Sequence, residues 1–338
     1  MELCCILEYL LVPILLGILI AVVNFFTTKE RNLNGKHVLI TGGSSGIGLS
    51  VAHDVAQRGA SVTLVARNLA NLEKALEEVR STASKAGAGG KVQIFSADIS
   101  GNHEQIVSLV KDAESSQGPI YMLVNCAGFA RAMKFEDISP QLAKQLMDVN
   151  FMGSVLITQE VVRSMKQQQE GIIVFTSSLG GLLGIYGFTL YSAAKGALVK
   201  LAEALCQEVK PYNITVTVCY PPDTDTPGYE EENKTKPIET KLISESAGLF
   251  KADEVACKLV KDALRGSFCS TVGIEGFMLT TLCAGMWPIA NFAAEFAAFL
   301  AQILLTWVFR IISLFTLWSF DRIVCQEHQK RLASKKSE

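Results

Sequence analysis

Tyr191 and Lys195 stand four residues apart in Tyr191-Ser-Ala-Ala-Lys195, within helix-favouring sequence. On a helix that spacing puts both side chains on one face, one turn apart. A phenol ordinarily keeps its proton up to a pKa near ~10, which makes it too weak an acid to be an efficient donor at neutral pH. An ammonium group held nearby favours the phenolate and lowers that pKa. The pair could therefore protonate a carbonyl oxygen during its reduction. Alone, Tyr-x-x-x-Lys reads equally well as a solvated helix face. What lifts it is Ser178, thirteen residues earlier at the end of Gly171-Ile-Ile-Val-Phe-Thr-Ser-Ser178, together with Asn150 followed by Gly153. Ser178 offers a hydroxyl to the same oxygen. The histidines, His37, His53, His103 and His328, match no ligand or base arrangement, and no metal is expected.

These residues need a scaffold that brings distant strand ends together. His37-Val-Leu-Ile40 is a short apolar strand that runs directly into Thr41-Gly-Gly-Ser-Ser-Gly-Ile-Gly48. An amphipathic helix over Leu49 to Arg58 and a β-branched strand over Ser61 to Ala66 follow. Strand, glycine turn, helix and strand in that order raise the glycines above chance as a dinucleotide loop. Gly42 would allow the tight turn, Gly46 would let the backbone approach a pyrophosphate, and Gly48 would permit close helix packing. Ile47 lies between the last two, and Ser44 and Ser45 add hydroxyl donors, with the phosphates at a helix N-terminus. Arg67 stands just past the second strand, where an acidic residue usually holds the ribose hydroxyls of NAD. A guanidinium there suits a 2′-phosphate, so NADP(H) is expected rather than NAD(H). Strands over Lys91 to Phe95, Tyr121 to Val124, Gly171 to Ser178 and Ile214 to Cys219, with a helix near Glu104 to Ser115, continue the alternation. The expected fold class is α/β, a doubly wound parallel sheet of the Rossmann type.

In its order and spacing the set Thr41 to Gly48, Asn125-Cys-Ala-Gly128, Asn150, Ser178 and Tyr191-x-x-x-Lys195 resembles the short-chain dehydrogenase/reductase family over roughly residues 35 to 265. The resemblance implies a catalytic set of Asn150, Ser178, Tyr191 and Lys195. Lys195 would also hold the nicotinamide ribose, and Asn150 would order a water linking Lys195 to solvent. Asp98 would meet the adenine. Asn125, counted with the cofactor-binding residues, would brace the sheet. Within the family, Tyr220-Pro-Pro-Asp-Thr-Asp-Thr-Pro-Gly228 and the Glu-rich run to Lys241-Leu-Ile-Ser-Glu245 resemble the membrane-bound members that reduce a 3-keto sphingoid base with NADPH. In that family the segment at 221–250 forms the substrate loop. Between Pro221 and Thr240, Asp223, Asp225, Glu230, Glu231, Glu232 and Glu239 face only Lys234 and Lys236. Such a negative loop suits a substrate ammonium group and repels a polyphosphate; a merely solvated acidic loop is the plainer alternative. A steroid, retinal or 3-ketoacyl reductase of the same family would share these motifs, and a membrane scaffold on an inactive reductase fold is an alternative of another class. Family members commonly pair through helices, which leaves a homodimer open.

Both ends are apolar. Tyr9 to Thr28 holds no charge, about enough to cross a ~30 Å hydrocarbon core as a helix. Lys29, Arg31 and Lys36 follow it, placing the rest of the chain on the cytosolic side. Residues 1–30 read as an uncleaved anchor, with a cleaved leader as the other reading. Gly273 to Phe320 carries only Glu275, Glu295 and Arg310 as charges, and holds the three tryptophans Trp287, Trp307 and Trp318. Gly276 to Ala294 and Phe296 to Phe320 could form two short spans or lie in the membrane interface, with the tryptophans as a belt; a buried dimer interface would also fit. The tail at 321–338 ends Lys335-Lys336-Ser-Glu338, which resembles a dilysine endoplasmic reticulum signal read on the cytosolic side. The expected organisation is an anchor at 1–30, an NADP-binding domain at 35–268, an apolar segment at 273–320 and a cytosolic tail.

Composition agrees. Lys plus Arg total 31 against 33 for Asp plus Glu, a net charge of −2, so no basic excess exists to hold a nucleic-acid backbone. Charged residues are 19% and hydrophobic ones 49%, with a mean hydropathy of +0.29, greasier than an ordinary soluble domain. The nine cysteines are scattered and include no Cys-x-x-Cys, which favours reduced, mostly buried thiols.

Overall fold

The computed structural model describes residues 29–245, 248–288 and 292–337, together with 19 and 23. The expected anchor at 1–30 lies almost wholly outside the described residues. The apolar runs become strands β1 (His37–Thr41), β2 (Ser61–Ala66), β3 (Val92–Ser96), β4 (Ile120–Asn125), β5 (Gly171–Thr176) and β6 (Ile214–Tyr220). In β1, β4 and β5 every residue is buried, as strands covered on both faces require. The sheet has seven parallel strands in the order β3-β2-β1-β4-β5-β6-β9, where β9 is Cys269–Thr271. That last strand carries the domain past the expected boundary at 268. Its three residues are too few to show a strand pattern in sequence.

Successive side chains on each strand point to opposite faces. On one face Val38, Ile40, Leu64 and Met122 pack against α1 (Gly46–Gln57), α2 (Leu69–Lys85) and α9 (Ala252–Leu264). On the other Leu39, Leu123, Ile173 and Phe175 pack against α3 (His103–Gln117), α5 (Gly153–Gln168) and α6 (Thr189–Val209). β1 neighbours both β2 and β4, so the winding reverses there and a crevice opens beyond the carboxyl ends of the strands. α4 (Pro140–Met147) precedes α5, and the two are joined by a π-helical turn at Asp148–Met152.

The segment at 221–250 is more regular than a loop. β7 (Thr224–Asp225) pairs with β8 (Phe250–Lys251), and between them lie α7 (Pro227–Asn233) and α8 (Ile238–Ser244). Thr226 caps α7 by accepting a bond from the Tyr229 amide, and Pro227 takes the first helical position.

The C-terminal segment departs from two equal spans. α10 (Gly273–Cys283) is 11 residues, about 16 Å at 1.5 Å per residue, too short to cross a bilayer. It stops because Gly285 takes a φ of +46° and Pro288 has no amide to donate. Trp287 serves no interfacial belt; it stacks on buried Tyr220 with ring centroids 5.3 Å apart. α11 (Phe292–Ser337) then runs 46 residues without a break at 320. Within it Phe299–Ser334 is the one helix, among the described residues, long and apolar enough to cross a membrane. Trp307 and Trp318 lie exposed on it. Phe309 meets Phe277 of α10 edge-on at 6.0 Å, and Arg331 pairs with Glu239 of α8.

Seven cysteines are described, and no two of them form a disulfide. Cys206 and Cys219 are buried, but Cys257, Cys283 and Cys325 are exposed, so the expectation of mostly buried thiols fails at helix surfaces.

Candidate active site

One cavity of about 1030 Å³ sits at the crevice and is lined by every residue expected to be catalytic or cofactor-binding, save Asn125 and Asn150. After β1 the backbone turns at Gly42 with φ +67°, and a Cβ there would lie 2.9 Å from the backbone of Ala127. At Gly46 a Cβ would press on Thr226 at 3.0 Å, and at Gly48 it would meet the Gly42 carbonyl oxygen at 2.3 Å. The tight turn thus falls to Gly42 and the close helix packing to Gly48, as expected of them. Ser45 caps α1 without a side-chain bond, and no acidic residue stands in the first turn. The first amides of α1 and its positive end remain available to an anion. Ser44, Ser45, Gly46, Ile47 and Gly48 all line the cavity, a cradle that fits a dinucleotide diphosphate.

Arg67, exposed at the end of β2, lines the same cavity as Asp98. Partial burial would raise the Asp98 carboxyl, but bonds from the Ser100 hydroxyl and amide and the charge of Arg67 outweigh it and hold it below its usual range. Asn125 does not line the cavity. It is 2% exposed and donates to the Thr158 hydroxyl at 3.2 Å, bracing β4 to α5, so its inclusion among cofactor contacts is corrected while the bracing role stands.

Ser178 follows β5 and accepts a bond from the Gly180 amide at 3.1 Å, which fixes its rotamer. Its hydroxyl stands near enough to the Tyr191 phenol to favour the ionised form. Lys195 is buried and donates to the Thr176 carbonyl at 2.8 Å, with its ammonium 5.7 Å from the Tyr191 ring centroid. Burial lowers the Lys195 pKa to about 8. Burial raises the Tyr191 phenol pKa, Ser178 lowers it in part, and the charges of Glu232 and Asp223 raise it further. The Lys195 ammonium is engaged with a backbone carbonyl rather than with the phenol oxygen.

Asn150, fully buried in the π-helical turn, donates to the Phe129 and Leu146 carbonyls at 2.9 and 3.0 Å and accepts from the Phe129 amide at 3.1 Å. Its side chain is therefore committed to backbone and lies behind the cavity wall. A Cβ on Gly128 would fall 2.6 Å from Asn150 Oδ1 and 3.2 Å from Lys195 Nζ, so the two residues meet at that glycine.

The structure adds two aromatic residues that sequence reasoning missed, Tyr229 and Phe188, and selects among the acids of the loop. Tyr229 and Glu232 of α7, with Phe188 before α6, line the cavity, as does Asp223; Asp225 is exposed and does not. Lys236 packs behind them, its ammonium 2.7 Å from Glu232 and 4.5 Å from the Tyr229 ring centroid. The wall along α10 and α11 is largely apolar, with Met278, Leu279, Phe309, Ile312 and Phe315 beside Glu275, Thr316 and Ser319. Ile312 and Phe315 are also exposed, so the cavity opens beside that helix. Among the described residues no cluster could hold a metal ion.

A glycine turn that fits a diphosphate, a buried lysine and a serine–tyrosine pair on one doubly wound sheet define a nicotinamide-dependent oxidoreductase. The short chain dehydrogenase family model matches residues 36–237, and the chain belongs to that family. It is 46% identical to a 3-dehydrosphinganine reductase of Danio rerio over 314 residues, covering 91% of this chain and 92% of the relative. It is 46% identical to a 3-ketodihydrosphingosine reductase of Mus musculus, covering 88% and 87%, and 35% identical to 3-dehydrosphinganine reductase TSC10A of Arabidopsis thaliana, covering 86% of each. Levodione reductase superposes with a TM-score of 0.64 at 25% identity, covering 73% of this chain and 99% of that one.

Proposed function

We propose that this chain reduces 3-oxosphinganine to sphinganine with NADPH, as the names of its relatives suggest for them. The observation that carries the substrate class is the shared cavity: the Ser178–Tyr191–Lys195 group and the apolar faces of α10 and α11 line one space. A polar head at the serine and tyrosine would leave an alkyl chain along Phe309, Ile312 and Phe315.

In this reading the glycine turn and the end of α1 hold the diphosphate, Lys195 the nicotinamide ribose, Asp98 the adenine and Arg67 the 2′-phosphate. When bound, the dinucleotide supplies a hydride to the carbonyl carbon. Ser178 donates a hydrogen bond to the ketone oxygen, and Tyr191 gives that oxygen its proton. The raised phenol pKa keeps the proton on Tyr191 until the oxygen gains charge. Lys195, beside Asn150 and near neutral pH in its own titration, returns a proton to the phenolate. α11 holds the enzyme to the endoplasmic reticulum membrane with the catalytic domain in the cytosol, consistent with Lys29, Arg31 and Lys36 after the N-terminal apolar stretch.

The test is NADPH consumption by the solubilised protein offered 3-oxosphinganine, a 3-ketoacyl-CoA, retinal and a keto-steroid. Turnover of 3-oxosphinganine alone is expected; preference for any of the others overturns the substrate assignment. Arg67→Glu addresses the cofactor. A hydrogen bond to a charged group is worth about 1.5–3 kcal/mol, so the variant should lose roughly ten- to hundredfold in its preference for NADPH over NADH. An unchanged ratio of kcat/KM for the two cofactors would remove Arg67 from the 2′-phosphate.

A further inference from the structure

The reaction sets a geometric condition. A sphingoid ketone carries its ammonium on the carbon next to the carbonyl, so with the ketone oxygen at Tyr191 that cation must lie one carbon from the reacting centre. Two carboxylates stand there. Asp223 and Glu232 both line the cavity, and theirs are the carboxylate charges that act on the Tyr191 phenol. The pair already shows what it binds. The Lys236 side chain, 1% exposed, places its ammonium 2.7 Å from Glu232 Oε1 and 3.6 Å from Asp223 Oδ2, between the rings of Tyr229 at 4.5 Å and Phe188 at 5.9 Å. Lys236 itself is behind the wall, whereas both carboxylates and both rings border the open space. Two carboxylates against one ammonium leave a formal charge of −1. Asp223 Oδ2 meets Lys236 only as an ion pair at 3.6 Å, with no hydrogen bond, so Lys236 leaves one negative charge of the pair uncompensated beside the cavity.

Resting on the substrate class proposed above, we infer that Asp223 and Glu232 are the receptor for the substrate's ammonium group, with Tyr229 and Phe188 as its aromatic sides and Lys236 holding the pair in place. Aromatic faces attract a cation, and burial strengthens its attraction to carboxylates. Burial chiefly, and the two negative charges after it, hold the phenol proton on Tyr191, and the ammonium offsets those charges. Arrival of the correct substrate therefore makes its own proton donor a better acid, and the amine is read in kcat as well as in KM.

The experiment compares 3-oxosphinganine with its deamino analogue, the same ketone with hydrogen in place of the amine, in wild type, Glu232→Gln and Asp223→Asn. Wild type should prefer the amino ketone strongly in kcat/KM, and each variant should cut that preference roughly ten- to hundredfold, the range of one charged hydrogen bond. NADPH binding, followed by fluorescence, reports that the variants are folded. An unchanged preference overturns the receptor, as does an equal loss on both lipids with NADPH binding retained, which would make the pair structural. Wild type that reduces both lipids equally also overturns it and leaves the reductase reading in place. Wild type that reduces neither overturns the substrate class and the receptor with it.

Discussion

Tyr191→Phe should lower kcat roughly 10²–10⁴-fold, the usual contribution of a positioned general acid. The substitution removes one oxygen from a residue whose ring packs at 5.6 Å from Phe188, so the ring contact and the helix that carries it survive. Lys195 keeps its bond to the Thr176 carbonyl, and the glycine turn is untouched. NADPH should bind the variant as well as it binds wild type. The measurement is single-turnover NADPH oxidation beside an NADPH titration. A kcat within a few-fold of wild type would mean that another group supplies the proton. Loss of cofactor binding along with turnover would mean that the phenol holds the site together.

Gly48→Ala should do comparable damage by a different route. The added Cβ would lie 2.3 Å from the Gly42 carbonyl oxygen and 2.9 Å from its carbonyl carbon. Both are backbone atoms of the turn that approaches Ala127, so no flexible side chain can yield. Either α1 moves off the sheet or the turn opens, and each spoils the cradle. Overpacking of this kind costs about 1–3 kcal/mol. At 2–4 °C per kcal/mol for a chain of 150–250 residues, that is a Tm lowered by roughly 2–12 °C, with loss of NADPH binding. Gly89→Ala is the control, because nothing lies within 4 Å of its Cβ and its φ is ordinary. Equal NADPH affinity in Gly48→Ala and wild type would remove the close-packing role of that glycine.

Most of the sheet is legible in the sequence because buried parallel strands are continuous apolar runs, and the β2 boundaries Ser61–Ala66 are those expected. The cofactor turn is legible too, since only glycine meets the demands at 42, 46 and 48. The substrate side is not. Asp223 and Asp225 look alike as letters two apart, and strand alternation would put both on one face; the structure instead sets Asp223, just before β7, on the cavity and leaves Asp225, at the end of β7, exposed. Glu232 reads as one of a run of three glutamates; only the turn of α7 selects it. Trp287 looked like a membrane residue because its neighbours are apolar, yet Tyr220, far away in sequence, claims it as core. The Lys195 ammonium faces Thr176 rather than the phenol for the same reason: spacing on one helix says nothing of a carbonyl on a neighbouring strand.

Ile312 and Phe315 belong at once to the cavity wall and to the exposed surface of α11. Anything that coats the outside of that helix stands one side chain away from the substrate's alkyl path. A detergent with a straight alkyl tail is then a competitor as well as a solubiliser. The rate should follow the mole fraction of lipid substrate among the amphiphiles around the helix, not its concentration in the tube. Diluting the same lipid in added micelles would slow the enzyme while every bulk concentration but the detergent's stays fixed.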